Sequence, residues 1–351
     1  MHLRTALIVS LLWACSSARA DVTFNSAHVM VVDETSGEIL LKKNIGVAAP
    51  IASLTKLMTA MVVLDAQQDL NEDLRIDEAD VDALKHTRGG VHVGAVASRG
   101  SLLELALLSS DNRAASALAR SYPGGLQAFN AAVQRKIQAF GLDSTSIAEP
   151  TGLSPSNMSS AQDMITVLRA AARYPAIAQI TSQRSHAVLV SGRHKVFHNT
   201  NRLVGGSDWE VFLSKTGFTN EAGRCLGMQA RANGRTVTIV LMGAANPSGH
   251  LRDSMTIRRW LGAERLAGTS QSSGPRTALM APRSNTAAQT PDRHRADGMP
   301  ETGAPVSSIG KSADGGASES GAEPGSVDAI ESQSFETRSS SLLNSVTTAG
   351  S

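Results

Sequence analysis

Large apolar residues become scarce at one point in this chain, and that change confines where it can fold. From about Leu266 to Ser351 the sequence is dominated by Ser, Gly, Ala, Thr and Pro and holds one aromatic residue, Phe335. A segment of that composition cannot bury enough apolar surface to offset the entropy of ordering it, so residues 266–351 are expected to be a disordered tail. The opposite end differs for another reason. Met1-His2-Leu3-Arg4 makes a positive start, Ala6 to Trp13 a short apolar run, and Ala18-Arg19-Ala20 a small-residue cleavage site. That order predicts a signal peptide over residues 1–20 and an exported product. A rival reading, a lipoprotein signal at Leu12-Trp13-Ala14-Cys15 with Cys15 lipidated, is opposed by the bulk of Trp13. No later apolar stretch reaches the length needed to span a bilayer, so no transmembrane anchor is expected. Folding is left to residues 21–265, and a chain with 41% apolar residues can build at least one sizeable core there.

Within that span the hydrophobic period changes twice. Ala27 to Asp33 and Glu38 to Lys43 alternate as strands around Thr35-Ser36-Gly37, a hairpin signal. Near the other end Glu210 to Lys215, Arg224 to Arg231 and Arg235 to Gly243 read as strands, with Asn233-Gly234 suited to a type I′ turn because both positions need positive φ. Between them the period is helical over Leu54 to Ala66, Leu102 to Arg120, Gly125 to Phe140 and Ser160 to Arg173, and a last amphipathic helix is predicted over His250 to Leu261. The fold class is therefore α+β: one antiparallel sheet built from both ends of the chain, flanked by helices, with an inserted, mostly helical lobe. A cleft between the lobes is the natural place for a site.

Charge and metal-ligating residues exclude several functions. The formal net charge is +2, with acidic and basic residues interspersed, which points to no nucleic-acid footprint and no basic membrane face. After removal of residues 1–20 only Cys225 remains, so an internal disulfide and a cysteine zinc site are excluded. The nine histidines show no metal-binding spacing, and neither a metal nor a cofactor is expected.

Three short motifs carry chemistry. Ser53-Leu54-Thr55-Lys56 opens a predicted helix, where residues three apart share a face, so Ser53 and Lys56 can meet. A serine there has nearby backbone N–H groups and the positive end of the helix dipole to stabilise developing negative charge. The plain alternative is a helix N-cap beside a solvated lysine, and Ser308-Ile309-Gly310-Lys311 in the tail matches the same pattern by chance. The company kept by the first motif favours the catalytic reading. Ser110-Asp111-Asn112 follows an apolar helix and Lys215-Thr216-Gly217 ends the predicted strand around Val211 to Leu213, in the order and settings of penicillin-recognising enzymes.

Longer stretches sharpen the likeness: Pro50-Ile51-Ala52-Ser53-Leu54-Thr55-Lys56-Leu57-Met58-Thr59-Ala60-Met61, then Tyr122-Pro123-Gly124-Gly125, Glu149-Pro150-Thr151-Gly152-Leu153-Ser154 and Lys215-Thr216-Gly217-Phe218-Thr219-Asn220. On these residues the chain resembles the serine-type D-alanyl-D-alanine peptidases, the low-molecular-weight penicillin-binding proteins, and most closely their endopeptidase branch. The resemblance covers nearly the whole folded part and stops near Leu266. It implies a β-lactamase/transpeptidase-like fold, a periplasmic location, peptidoglycan peptides as substrate and β-lactams as inhibitors. It also implies roles: Ser53 as nucleophile, Lys56 as its base, Ser110 as proton relay and Asn112 as partner to Lys56 and the substrate amide. Lys215, Thr216, Gly217 and Phe218 would bind substrate, with Gly217 admitting a substrate backbone and the N–H groups of Ser53 and Phe218 as oxyanion-hole donors. Asp111 would face away. To serve as a base near neutrality Lys56 needs its pKa lowered by about three units, or about 4 kcal/mol, for which burial and the charge of Lys215 are the expected sources.

Other residues take plainer readings. Glu149 resembles the deacylating acid of class A β-lactamases only superficially and is expected to belong to a Pro/Gly turn. Asn199 and Asn201 could border the cleft or serve loop structure. Arg224 and Arg252 are close enough in the chain to clamp a terminal carboxylate. The competing functions are therefore a D-Ala-D-Ala carboxypeptidase or a β-lactamase on the same fold, and a catalytically silent cell-wall-binding module.

Overall fold

The computed structural model describes residues 22–87 and 89–272. The expected signal peptide, Cys15 and residues 273–351 lie outside the described residues. In chain order the elements are β1 (His28–Asp33), β2 (Ile39–Lys43), β3 (Ala49–Pro50), α1 (Thr55–Asp65), β4 (Asp73–Arg75), β5 (Val96–Ser98), α2 (Arg99–Leu108), α3 (Asn112–Arg120) and α4 (Gly125–Ala139). They continue with β6 (Met158–Ser159), α5 (Ala161–Ala171), α6 (Pro175–Ser182), β7 (Ser185–Val190), β8 (Arg193–His198), β9 (Glu210–Thr219), β10 (Gly223–Ala232), β11 (Arg235–Ala244) and α7 (Gly249–Ser272).

Five strands form one antiparallel sheet in the order β2-β1-β11-β10-β9, so the first and last strands of the folded chain lie side by side. His28 stands opposite Met242 and Asp33 opposite Val237. The period of two then sorts the side chains onto two faces. Val29, Val31, Met228, Ile239 and Leu241 pack with Ile257 and Leu261 of α7. Met30, Val32, Cys225, Val240 and Met242 turn the other way, into a core shared with α1, α5 and the helical lobe. Each such side chain contributes about 1.5–3 kcal/mol on burial, so the sheet is held from both sides. The chain's start is pinned to α7 by the buried Asp253 carboxylate. It accepts from the Asn25 N–H and amide at 2.9 Å each and from the Ser26 N–H and hydroxyl at 2.7 Å each.

Four expectations changed. The single helix predicted over Leu102 to Arg120 is two, because Ser110 adopts φ +62° and the Asp111 carboxylate caps the next helix by accepting from Ala114 N–H at 2.8 Å. The strand expected to end at Lys215 runs on to Thr219, since Phe218 and Thr219 pair with Arg224 and Gly223. The last helix continues past Leu261 to Ser272. Finally, α6 and the β7–β8 hairpin were not anticipated: Pro175 starts α6 at its first turn, a position that tolerates proline because that N–H has no helical partner.

Candidate active site

Ser53 sits in a single 3₁₀ turn, Ala52–Leu54, immediately before α1. Neither end of that junction carries a side-chain cap, so Ser53 is not an N-cap. Its hydroxyl instead meets Lys56 Nζ at 3.0 Å. Lys56 is buried, and the same ammonium nitrogen donates to Asn112 Oδ1 at 2.7 Å and to the Thr151 carbonyl at 2.6 Å. Two of its three hydrogens therefore have carbonyl acceptors that can only accept. The third position faces Ser53, where a hydroxyl can either accept a proton or give one.

Burial lowers the Lys56 pKa from the ordinary lysine value to about 8, against the charges of Glu149 and Asp111, which pull it up. That is about 3 kcal/mol of differential destabilisation of the ammonium form. The Lys215 charge, expected as a second source, is not among the causes at Lys56; Lys215 itself, also buried, lies well below the lysine range through burial first and the Lys56 charge second. Lys215 Nζ donates to Ser110 Oγ at 2.9 Å and to the Thr216 carbonyl at 3.0 Å. Ser53, Lys56, Asn112, Ser110 and Lys215 are thus connected as two neighbouring hydrogen-bonded groups.

Three local structures hold these side chains. The break between α2 and α3 supplies Ser110 and Asn112, with Asp111 turned to structure, since its second oxygen accepts from Gly90 N–H at 2.5 Å. A loop beginning at Asp82 supplies Thr87. Asp82 accepts from the N–H groups of Leu84, Lys85 and Thr87 and from the Thr87 hydroxyl, and that hydroxyl accepts from Asn112 Nδ2 at 2.9 Å. The third is the turn at Glu149–Ser154. Its Glu149 carboxylate accepts from the N–H groups of Thr151, Gly152 and Ser154, from the Thr151 hydroxyl and from the Asn157 amide. Glu149 is therefore spent on shaping the turn that aims the Thr151 carbonyl at Lys56. The buried Asn157 ties that turn to the nucleophile's, because its amide also reaches Thr55 Oγ1 at 3.1 Å and its carbonyl receives Ile51 N–H at 3.0 Å.

Strand β9 is the edge of the sheet that faces the site. At Gly217 a Cβ would stand 2.9 Å from Ser53 N and 3.0 Å from the Ala52 side chain. The small residue is thus needed for the protein's own turn to approach, where the sequence suggested room for substrate. Ser53, Ser110, Thr216, Gly217 and Phe218 line a cleft of about 510 Å³ whose far wall holds Thr200, Arg202, Arg224 and His250. Phe218 is half exposed, with the Arg224 guanidinium 4.0 Å above its ring. Thr216 and Thr200 share a hydroxyl contact at 2.5 Å. Asn199 and Asn201 serve the loop: Asn199 donates to the Thr181 and Gln183 carbonyls, and Asn201 is buried against Met228. Arg252 is not in the cleft wall but donates to the hydroxyl of Ser248, a wall residue in the turn just before α7. Among the described residues no group of His, Cys, Asp and Glu is arranged to hold a metal ion.

Thr87, Thr151, Asn157, Arg202 and His250 were not found by sequence reasoning. Thr151 acts through a backbone carbonyl, which no residue type advertises. Thr87, Asn157, Arg202 and His250 lie outside the three short motifs, and only the fold brings them in.

A family model described as D-alanyl-D-alanine carboxypeptidase matches residues 15–246. The chain is 42% identical over 238 residues to a D-alanyl-D-alanine endopeptidase of Pseudomonas aeruginosa, covering 67% of this chain and 77% of that one. It is 38% identical over 250 residues to the D-alanyl-D-alanine endopeptidase of Escherichia coli, covering 71% and 81%. Among solved structures, a D-alanyl-D-alanine carboxypeptidase from Mycobacterium tuberculosis superposes with a TM-score of 0.59 at 29% identity, covering 73% of this chain and 94% of that one. The Streptomyces K15 DD-transpeptidase superposes at 0.64 with 22% identity, over 69% of this chain and 98% of that one, a likeness of fold.

Proposed function

This chain belongs to the D-alanyl-D-alanine carboxypeptidase family, and from that premise we propose that it is a serine DD-peptidase of the endopeptidase branch, opening D-alanyl bonds of peptidoglycan cross-links through an acyl-enzyme on Ser53. The observation that carries the reading is the position of Lys56 Nζ, held between two obligate acceptors with its third position at the Ser53 hydroxyl. A neutral amine there keeps two donors for Asn112 and Thr151 and turns its lone pair to Ser53.

Ser53 Oγ attacks the D-alanyl carbonyl as its proton passes to Lys56, and the carbonyl electrons move onto oxygen. The N–H groups of Ser53 and Phe218 are the donors for that oxyanion, a reading supported by the packing of β9 against Ser53 N; each such donor is worth about 3 kcal/mol. Collapse breaks the C–N bond, and the proton taken up by Lys56 passes by way of the Ser110 hydroxyl, held by Lys215, to the leaving amine, which returns Lys56 to its neutral form. Water then attacks the ester with Lys56 again as base, and the proton returns to Ser53. Thr216 and Phe218 on the sheet edge would hold the peptide as an added strand. The same reading takes residues 21–265 as the catalytic domain, 1–20 as the leader for export to the periplasm and 266–351 as a tail.

A base must be neutral to work. With a pKa of about 8, Lys56 is neutral in roughly a tenth of molecules at pH 7. The rate of acylation by a soluble penicillin is expected to rise with pH through a midpoint near 8 and level off above it. A midpoint at the ordinary lysine value would remove Lys56 from the role. Neither β-lactamase chemistry nor a silent binding module is favoured, because Glu149 is committed to its turn and the five polar side chains form two hydrogen-bonded groups, Ser53–Lys56–Asn112 and Ser110–Lys215.

One observation supports the carboxypeptidase alternative: the cleft wall carries Arg224 and Arg202, cations able to recognise a carboxylate. The test is to compare kcat/KM for a cross-linked muropeptide dimer and for a pentapeptide monomer. Cleavage of the dimer between D-Ala and the diamino acid is expected to be about tenfold faster or more. Faster release of terminal D-Ala, lost selectively in Arg224→Ala, would assign a carboxypeptidase instead.

A further inference from the structure

The interspersed charge of the whole chain conceals a local exception. Residues 184–202 hold four Arg or Lys, three His and no Asp or Glu. They form the β7–β8 hairpin and its flanks. Val188 and Val190 face inward and are buried, and the hairpin is fixed to the helical lobe by the Ser191 N–H on the Val96 carbonyl at 2.7 Å. The register puts Ser185 opposite His198, Ala187 opposite Val196 and Leu189 opposite His194 on the other face, and all six are exposed. His186 has a counter-charge, Glu104 at 2.8 Å. Among the described residues the side chains of Arg184, Arg193, His194, Lys195, His198 and Arg202 have none.

The hairpin leads into the cleft. Strand β8 leads through Asn199, anchored to α6 by the Thr181 carbonyl, to Thr200 and Arg202 in the cleft wall. A flexible polymer whose scissile bond lies at Ser53 would therefore run outward along the hairpin.

We propose that the β7–β8 hairpin is an exosite for the anionic peptide stems of polymeric peptidoglycan, whose carboxylates supply the counter-charges the hairpin lacks. The inference rests on reading the cleft as a DD-peptidase site and adds a second point of attachment to it. The exposed Leu189 and Val196, on the face of His194 and His198, can lie against the alkyl parts of such stems, while Lys195 and Arg193, across from Val188 and Val190 but themselves exposed, present their charges at the hairpin's margin. A lipid surface fits less well, because the outer face carries no Trp, Tyr or Phe to enter the interface.

The test uses the full chain with Ser53→Ala to prevent turnover, and sedimentation with purified insoluble peptidoglycan. Adding Arg193→Glu and Lys195→Glu at the hairpin tip is expected to cut the bound fraction about tenfold at low salt, and about 0.5 M salt should bring the parent to the same level. Amidating the peptidoglycan carboxylates with a carbodiimide should do likewise. On the Ser53 background the same tip changes should leave acylation by a soluble penicillin unchanged, which shows that the cleft is intact. If the double charge reversal impairs folding, Arg193→Gln with Lys195→Gln serves with the same readout. Parent-like sedimentation of the variants, or parent binding that survives salt or amidation, overturns the exosite. So does capture of the parent by phosphatidylglycerol vesicles but not by peptidoglycan. Absence of penicillin acylation in the Ser53 parent would instead sink the DD-peptidase reading, so the two failures are distinguishable.

Discussion

Ser53→Ala is expected to abolish covalent labelling by penicillin and to lower peptidase turnover by about 10⁶-fold, the scale seen when the nucleophile of an acyl-transfer enzyme is deleted. Among the described residues Ser53 has the hydroxyl that meets Lys56, while Thr200 and Thr216 bond each other and Thr55 Oγ1 donates backward to the Ala52 carbonyl at 2.8 Å. Removing one oxygen from a half-buried side chain leaves no large cavity, so the thermal transition should stay within a few degrees of the parent. Lys56→Met is the companion variant, nearly isosteric but without a proton acceptor. It should keep Ser53 and still lose about 10²–10⁴-fold in acylation, the worth of a positioned base. Labelling of Ser53→Ala at the parent's rate would reject the nucleophile. Parent-like acylation by Lys56→Met would reject the base and leave the nucleophile standing.

The motifs were legible because each lies where local structure changes and a small set of residue types must appear. Ser53 and Lys56 stand three apart at a helix start. Asp111 is a helix cap, so Ser110-Asp111-Asn112 marks a break that apolar periodicity alone ran through. The outer strands and the Asn233-Gly234 turn followed from alternation and positive φ, and both positions do take positive φ. Gly217 misled in a simple way. A glycine in a strand suggests an end or an approaching ligand, whereas here a neighbouring turn of the same chain takes the space. The Lys56 environment was legible only in part, since burial was foreseen but the Thr151 carbonyl, and the Glu149 and Asn157 contacts that aim it, depend on a turn almost a hundred residues away in the chain. Interspersed charge over the full length likewise hid the basic hairpin, because a mean is blind to a face.

The second large effect is expected outside the three short motifs, at Gly152. Its φ is +86°, and a Cβ added there would lie 2.0 Å from the Ala52 carbonyl oxygen and 2.9 Å from Ser53 N. No side-chain rotation relieves such an overlap, because both partners are backbone. Either the Glu149–Ser154 turn or the Ala52–Leu54 turn must move, and each carries one side of the Ser53–Lys56–Thr151 contact. Ala52 itself holds φ +46°, so the nucleophile's turn has little freedom left to yield. Gly152→Ala should therefore lose stability by about 3 kcal/mol or more, combining left-handed strain with overpacking. A displacement of about 1 Å at the nucleophile should also cost about 100-fold in acylation of whatever protein remains folded. Gly37→Ala is the control, since Gly37 has φ +75° with nothing within 4 Å of the added Cβ. It carries the backbone strain alone, about 1–2 kcal/mol, and should acylate at the parent's rate. Chemical denaturation and penicillin acylation, measured on both variants, separate strain from collision. Equal stability losses with full activity in both would mean that the two turns can part without disturbing Ser53, and that Gly152 is no more than a turn residue.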